Sequence, residues 1–175
     1  MIETEVHQRL RAYLREQGHT QWPHHLTMAR LVARALRVGR SALIQIDSLA
    51  AYQGSHRLSY LIPALLWPEP VVLALPDALV DTVLQQDIPN LQQGLPIIKP
   101  VRVADRWPQE TFRGLLVTSA KGWLRSRLHH SSLFPSDIPT LIDGAIDLEQ
   151  CARDLLNIRL LSQDWEALML AFPTH

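Results

Sequence analysis

The sequence predicts an α/β fold, a mainly parallel β-sheet with helices on both faces, and three observations carry that expectation. Continuous apolar runs of strand length recur at 42–46, 71–75, 115–118 and 140–142. Between them lie segments whose apolar residues follow helical spacing, punctuated by Gly and Pro. The 175 residues make about one domain, and 47% hydrophobic with 19% charged residues supplies a core and is not the composition of a disordered chain.

Val6, Leu10, Tyr13 and Leu14 stand at i, i+4, i+7 and i+8, one face of a helix that Gly18 ends. Pro23 opens a second helix at its first turn. Met28, Leu31, Val32, Ala35 and Leu36 share one side of it, and Gly39 closes it. Residues 42–46, Ala-Leu-Ile-Gln-Ile, form the first strand, 47–57 a loop, and 58–67 a helix stopped by Pro68. Residues 71–75, Val-Val-Leu-Ala-Leu, read as a buried strand broken by Pro76 and Asp77. Leu79, Val80, Val83 and Leu84 make a helical face that ends near Pro89. From 92 to 112 the chain is turn-rich, with one edge strand around Val101 and Val103. Residues 115–118 are a strand, 120–128 a helix, 140–143 a strand and 148–156 a helix. Ser162 caps a last short helix that buries Trp165, Leu168 and Met169. Apolar strands alternating with amphipathic helices are βαβ units, whose parallel sheet is covered on both faces.

No apolar run reaches about 18 residues without a charge or proline, so neither a membrane-spanning helix nor a membrane partner is expected. The start, Met1-Ile2-Glu3-Thr4-Glu5, is acidic and lacks the apolar stretch of a signal peptide, which makes the cytoplasm the expected address. Cys151, the single cysteine, rules out a disulfide framework and a four-cysteine metal or iron–sulfur site built by this chain alone. It falls on a predicted helix without an adjacent base and reads as a buried structural thiol. The formal net charge of zero hides an asymmetry. Residues 1–60 carry Arg9, Arg11, Arg15, Arg30, Arg34, Arg37, Arg40 and Arg57 against Glu3, Glu5, Glu16 and Asp47. Residues 137–166 carry seven acids against Arg153 and Arg159. A basic half suits a phosphate backbone, and it equally suits a solvated helix face.

Ligands of such sheets bind where the carboxyl ends of strands lead into helices. The candidate loops are 47–57, 76–78 and 143–147. The run Gly54-Ser55-His56-Arg57-Leu58-Ser59-Tyr60-Leu61-Ile62-Pro63-Ala64-Leu65 resembles the Walker A segment and following helix of DinG/XPD-like superfamily 2 DNA helicases. Residues 75–79, with Asp87-Ile88-Pro89-Asn90-Leu91-Gln92, are similar to that family's motif Ia strand and helix. Leu116-Val117-Thr118-Ser119-Ala120 resembles its V-V-N-H-A segment. Leu141-Ile142-Asp143-Gly144-Ala145-Ile146-Asp147-Leu148-Glu149 resembles the Walker B or DEAH box, I-I-D-E-A-H-x-L-E. Trp22-Pro23-His24-His25 stands where the family has R-P-x-Q. The segments keep their order over residues 22–155. The resemblance implies a RecA-like P-loop NTPase domain over 1–175: helices at 1–40 leading into the sheet, a βα core at 41–160, and a short helix and tail at 161–175. It also implies ATP with Mg²⁺ as cofactor, with His25, Gly54, Ser55, His56, Arg57 and Asp143 at nucleotide positions and Asp143 as the Mg²⁺ carboxylate.

Three departures bear on that chemistry. A phosphate cradle needs glycines, a lysine for the β/γ oxygens and Ser/Thr for Mg²⁺. Here only Gly54 remains, His56 stands at the lysine position and Arg57 at the Ser/Thr position, in a loop about three residues longer that carries Asp47. Losing two charge-assisted contacts removes ~3–6 kcal/mol of binding, two to four decades in affinity, of which a bidentate Arg57 recovers part. In the DEAH box Gly144 replaces the glutamate that activates water, a loss of about 10²–10⁴ in rate. Ile146 replaces the histidine, and His25 the adenine-reading glutamine. The four cysteines of the family's iron–sulfur cluster are missing between motifs Ia and II, so no cluster is expected, and 175 residues do not hold a second helicase lobe.

The remaining features read more plainly. His24-His25 and His129-His130 are adjacent pairs without the i,i+4 spacing of a helical zinc site. Lys121, Arg125, Arg127, His129 and His130 suit either a phosphate backbone or a solvated helix end. The five Trp are dispersed, as for core or domain-edge packing, with stacking on single-stranded bases open to one or two. The expectation is a catalytically inactive first helicase lobe acting as a DNA- or protein-binding module. Single-stranded DNA, a second lobe, another protein or a second copy are its candidate partners. Two alternatives stand beside it: the N-terminal part of a longer ATP-dependent helicase, and a weak ATPase with an unusual phosphate loop.

Overall fold

Strand β1 (Val71–Leu75) lies inside an all-parallel four-stranded sheet of order β2-β3-β1-β4, with β2 (Val101–Val103), β3 (Leu115–Ser119) and β4 (Thr140–Ile142). The computed structural model describes residues 1–16, 23–96, 99–108, 111–129, 131–157 and 161–171. β1 and β3 pair from Val71 opposite Leu115 to Leu75 opposite Ser119. β4 joins the free side of β1 with Leu73 opposite Leu141, and β2 joins β3 with Val101 opposite Leu115. All five β1 residues are buried, as a run without polar alternation requires.

Strand periodicity divides the core between two faces. Val71, Leu73, Leu75, Leu115 and Val117 join the apolar sides of α1 (Ile2–Glu16), α2 (His25–Val38) and α4 (Arg57–Leu66) in the larger cluster. Val72 and Leu116 join Phe112 and Phe134 in a smaller one, over which Trp107 and Trp123 pack. On this second side α7 (Ala120–Leu128) packs against β3 and against α8 (Leu148–Leu156). Ser119 caps α7, its Oγ accepting the Gly122 N–H at 2.9 Å. Lys99, just before β2, closes the end of α4: Nζ donates to the carbonyls of Ala64, Trp67 and Glu69 at 2.9, 2.7 and 2.8 Å, where the helix end is negative. Burial pushes that ammonium down to about 8, against the attraction of Glu69. Among the described residues, no helix is long and apolar enough to cross a membrane.

Four expectations are corrected. Residues 42–46 form no strand. Ile44 and Ile46 pack on the larger core while Leu43 is 88% exposed, so alternate side chains anchor the segment without a backbone ladder. The helix after β1 does not end at Pro89. It runs as α5 (Asp77–Thr82), a π-helical turn (Val83–Asp87) and α6 (Ile88–Gly94). Pro89 falls in the first turn of α6, where its missing N–H is tolerated. The last helix, α9 (Ser162–Ala171), buries none of Trp165, Leu168 or Met169, because all ten of its residues face solvent. Cys151 is half-buried at the rim of a small crevice, since α8 presents only one half-covered side to α7. The readings that rest on Gly18, Trp22 and His130 lie outside the described residues.

Two truncations separate a true strand from the core-anchored segment. Leu73→Ala, at 0% exposure, costs about 2–5 kcal/mol in urea unfolding. Leu43→Ala changes stability by no more than about 0.5 kcal/mol, because its side chain is already in water.

Candidate functional site

Residues 47–57 do not form an open loop. Asp47 Oδ1 accepts the Ala50 N–H at 2.9 Å and starts a short helix, α3 (Ser48–Gln53). Gly54 ends α3 at φ 68°, a left-handed conformation that favours glycine. Asp47, which the sequence suggests as a charge opposing phosphate, is thus an N-cap, and Gly54 is a C-cap. The backbone donors here are spent on the helix end. The N–H groups of Gly54, Ser55 and Arg57 bond the carbonyls of Ala51, Ala50 and Gly54, each at 3.1 Å. A phosphate cradle needs successive N–H groups aimed into one concavity, and these three point inward.

His56 follows at the start of α4 and is 4% exposed. Its Nε2 lies 3.2 and 3.3 Å from the two oxygens of Asp143, just beyond β4, and its Nδ1 lies 3.3 Å from the Ala50 carbonyl. Tyr60, one turn along α4, donates its hydroxyl to Asp143 Oδ2 at 2.9 Å. The Gly144 N–H donates to Asp143 Oδ1 at 2.8 Å. Both carboxylate oxygens are therefore engaged by protein donors. Burial works against ionising Asp143, but the donors His56, Tyr60 and Gly144 outweigh it and hold the carboxyl below its ordinary 3.8. Burial and the neighbouring Asp143 charge push Tyr60 well above the usual phenol range, so it stays a donor.

The other singled-out residues close inward as well. Arg57 Nε donates to Asp87 Oδ2 at 2.6 Å, joining α4 to the π-helical turn. Burial opposes the guanidinium charge, yet the hydrogen bond and charge of Asp87 outweigh it and raise the Arg57 pKa. His25 and Ser59 are both buried, with Nδ1 3.0 Å from Oγ, which pins α2 to α4. Of the six nucleotide positions, then, the structure joins His56 to Asp143 directly and places Arg57 and His25 on the same helix's contacts. Gly54 and half-buried Ser55 serve as the α3 cap. Tyr60, Ser59 and Asp87 complete the cluster and were not singled out from sequence. The signal for Tyr60 and Ser59 is their helical spacing from His56 on a helix buried nearly all round.

Gly144 sits at φ 69° and ψ 31°, and a Cβ there would stand 2.9 Å from Pro76 Cγ. A glutamate at this position is strained whatever its side chain does. Beyond Gly144 a crevice of about 190 Å³ opens at the carboxyl ends of β1, β3 and β4, between Asp77, Lys121, Asp147 and Cys151. It is smaller than the ~300–1,000 Å³ of ordinary ligand pockets, and none of the six nucleotide positions lines it. ATP with Mg²⁺ does not fit the residues present. The loop donors are bonded internally and the carboxylate is taken. His56 and Asp143 have the residue types of an acid–base pair, and both ring nitrogens of His56 face protein acceptors. Among the described residues no group of three His, Cys, Asp or Glu could hold a metal ion.

Asp143→Asn keeps the shape but turns an acceptor toward donors as a donor, and it lowers stability at neutral pH by about 1–3 kcal/mol. Because the folded pKa of Asp143 lies below 3.8, its contribution is complete above that value and is lost as pH falls through the folded one. Urea unfolding across the acid range therefore shows wild type and Asp143→Asn converging toward low pH. Comparison of the chain with protein-family models, with curated proteins and with solved structures returns no significant match.

Proposed function

We propose that the chain is a RecA-like lobe of the DinG/XPD-like helicase type that has given up nucleotide chemistry and serves as a non-catalytic binding module for DNA or a protein. The observation that carries this reading is the 3.2 Å contact between His56 and Asp143, 87 positions apart. By resemblance these are the phosphate-binding and Mg²⁺-binding positions, and they meet at the carboxyl edge of a parallel sheet. They are bonded to each other instead of facing a ligand. The internally bonded N–H groups of residues 54, 55 and 57 and the left-handed Gly144 support the same reading. With catalysis gone, the fold offers surfaces, among them the arginine-rich helices of residues 1–40.

Titration calorimetry with ATP and Mg²⁺ tests the proposal. No heat is expected up to millimolar nucleotide, and Gly144→Glu restores no turnover. Micromolar binding that weakens in Arg57→Ala and Asp143→Asn would overturn the reading. Anisotropy of a labelled single-stranded oligonucleotide then tests the DNA reading: salt-sensitive binding supports it, and its absence removes single-stranded DNA as the partner.

A further inference from the structure

Two neighbouring strands of this sheet send the chain to opposite faces. After β1 the chain enters α5, the π-helical turn and α6, whose Val83, Ile88 and Leu91 pack into the larger core. After β3 it enters α7, whose Trp123 packs over the smaller one. β1 and β3 are hydrogen-bonded to each other, so their exits diverge and leave a gap at the carboxyl edge. Open parallel sheets bind their ligands at such a point. The crevice of about 190 Å³ lies there, with Asp77 from the β1 exit, Lys121 from the β3 exit and Asp147 from the turn after β4 in its lining.

These three charges are opposed but not paired. Lys121 stands in the first turn of α7, where the helix end is positive. Asp77 and Asp147 come from the other two exits. All three are exposed, and among the described residues none of their side chains has an ion-pair or hydrogen-bond partner. An ammonium and two carboxylates thus line one opening and stand too far apart to neutralise each other. A simple anion there would meet Lys121 and face two carboxylates. A simple cation would leave Lys121 unmatched, and no group of three His, Cys, Asp or Glu among the described residues could hold a metal ion. A ligand that satisfies both signs carries an anionic and a cationic group on one small frame. The volume is the share of about six waters, the scale of a free amino acid.

We propose that this crevice binds a small α-amino acid, its carboxylate on Lys121 at the start of α7 and its ammonium on Asp77 and Asp147. The site uses none of the six nucleotide positions and stands or falls separately from the proposed function.

Cys151, the single cysteine of the chain, belongs to the crevice lining and reports on its occupancy. Its alkylation by iodoacetamide is timed on the full chain at neutral pH, with each common amino acid except cysteine present at millimolar concentration. Acetate and methylammonium serve as the separate halves of the ligand. At least one amino acid slows the reaction to a saturating limit, and neither half does so alone. Lys121→Ala and Asp147→Ala each raise the half-protecting concentration about tenfold or more, the loss of one charge-assisted hydrogen bond. Both side chains are exposed, so neither change threatens the fold. An alkylation rate indifferent to every amino acid, protection matched by acetate or methylammonium alone, or protection unchanged in both variants overturns the proposal.

Discussion

An ionised carboxylate taken out of water must be surrounded by donors, and the Asp143 carboxylate, 14% exposed, sets that requirement at the end of β4. The structure meets it with three donors from two elements. α4 supplies His56 and Tyr60, four positions apart, and so fixes both the rotation and the height of that helix over the sheet. The turn after β4 supplies the Gly144 N–H, and Gly144 itself is in a left-handed conformation against Pro76. His56 passes the constraint on to α3 through the Ala50 carbonyl. An edge strand of three residues is thereby tied to the centre of the larger helical layer.

Groups that could receive a phosphate or a metal ion are more useful exposed, polarised and short of partners. Here the same positions are buried or half-buried and mutually satisfied, and each bond joins two elements: β4 to α4, α4 to the π-helical turn through Arg57 and Asp87, α2 to α4 through His25 and Ser59. Removing a partner from such a cluster leaves a buried donor or charge unpaired, so the cluster resists drift once formed. In the proposed function this is how a lobe keeps its fold after its nucleotide chemistry has gone.

Much of the scaffold was legible in the sequence, for local reasons. Val71–Leu75 and Leu115–Ser119 are continuous apolar runs that only a sheet covered on both faces can hide. The helices expected at 120–128 and 148–156 are present as α7 and α8, and the structure adds the Ser119 cap that starts α7. What was not legible depends on neighbours. Residues 42–46 have strand composition but no ladder, because pairing needs a second backbone at the right distance. Pro89 reads as a helix end unless the preceding π-helical turn is known. Trp165, Leu168 and Met169 read as core because apolar spacing does not say whose core. At the site, motif order located His56 and Asp143 87 positions apart, but their bond to each other, and the part played by Tyr60, arise only when α4 is laid over β4.

Amide NMR at residues 54, 55 and 57 tests the central claim, that residues 54–57 are a closed helix cap, most directly. The closed cap predicts protected amides in hydrogen exchange for Gly54, Ser55 and Arg57, with chemical shifts unmoved by millimolar pyrophosphate and Mg²⁺. Rapid exchange at these three positions, together with shifts that saturate as pyrophosphate is added, would contradict it and show an open anion cradle.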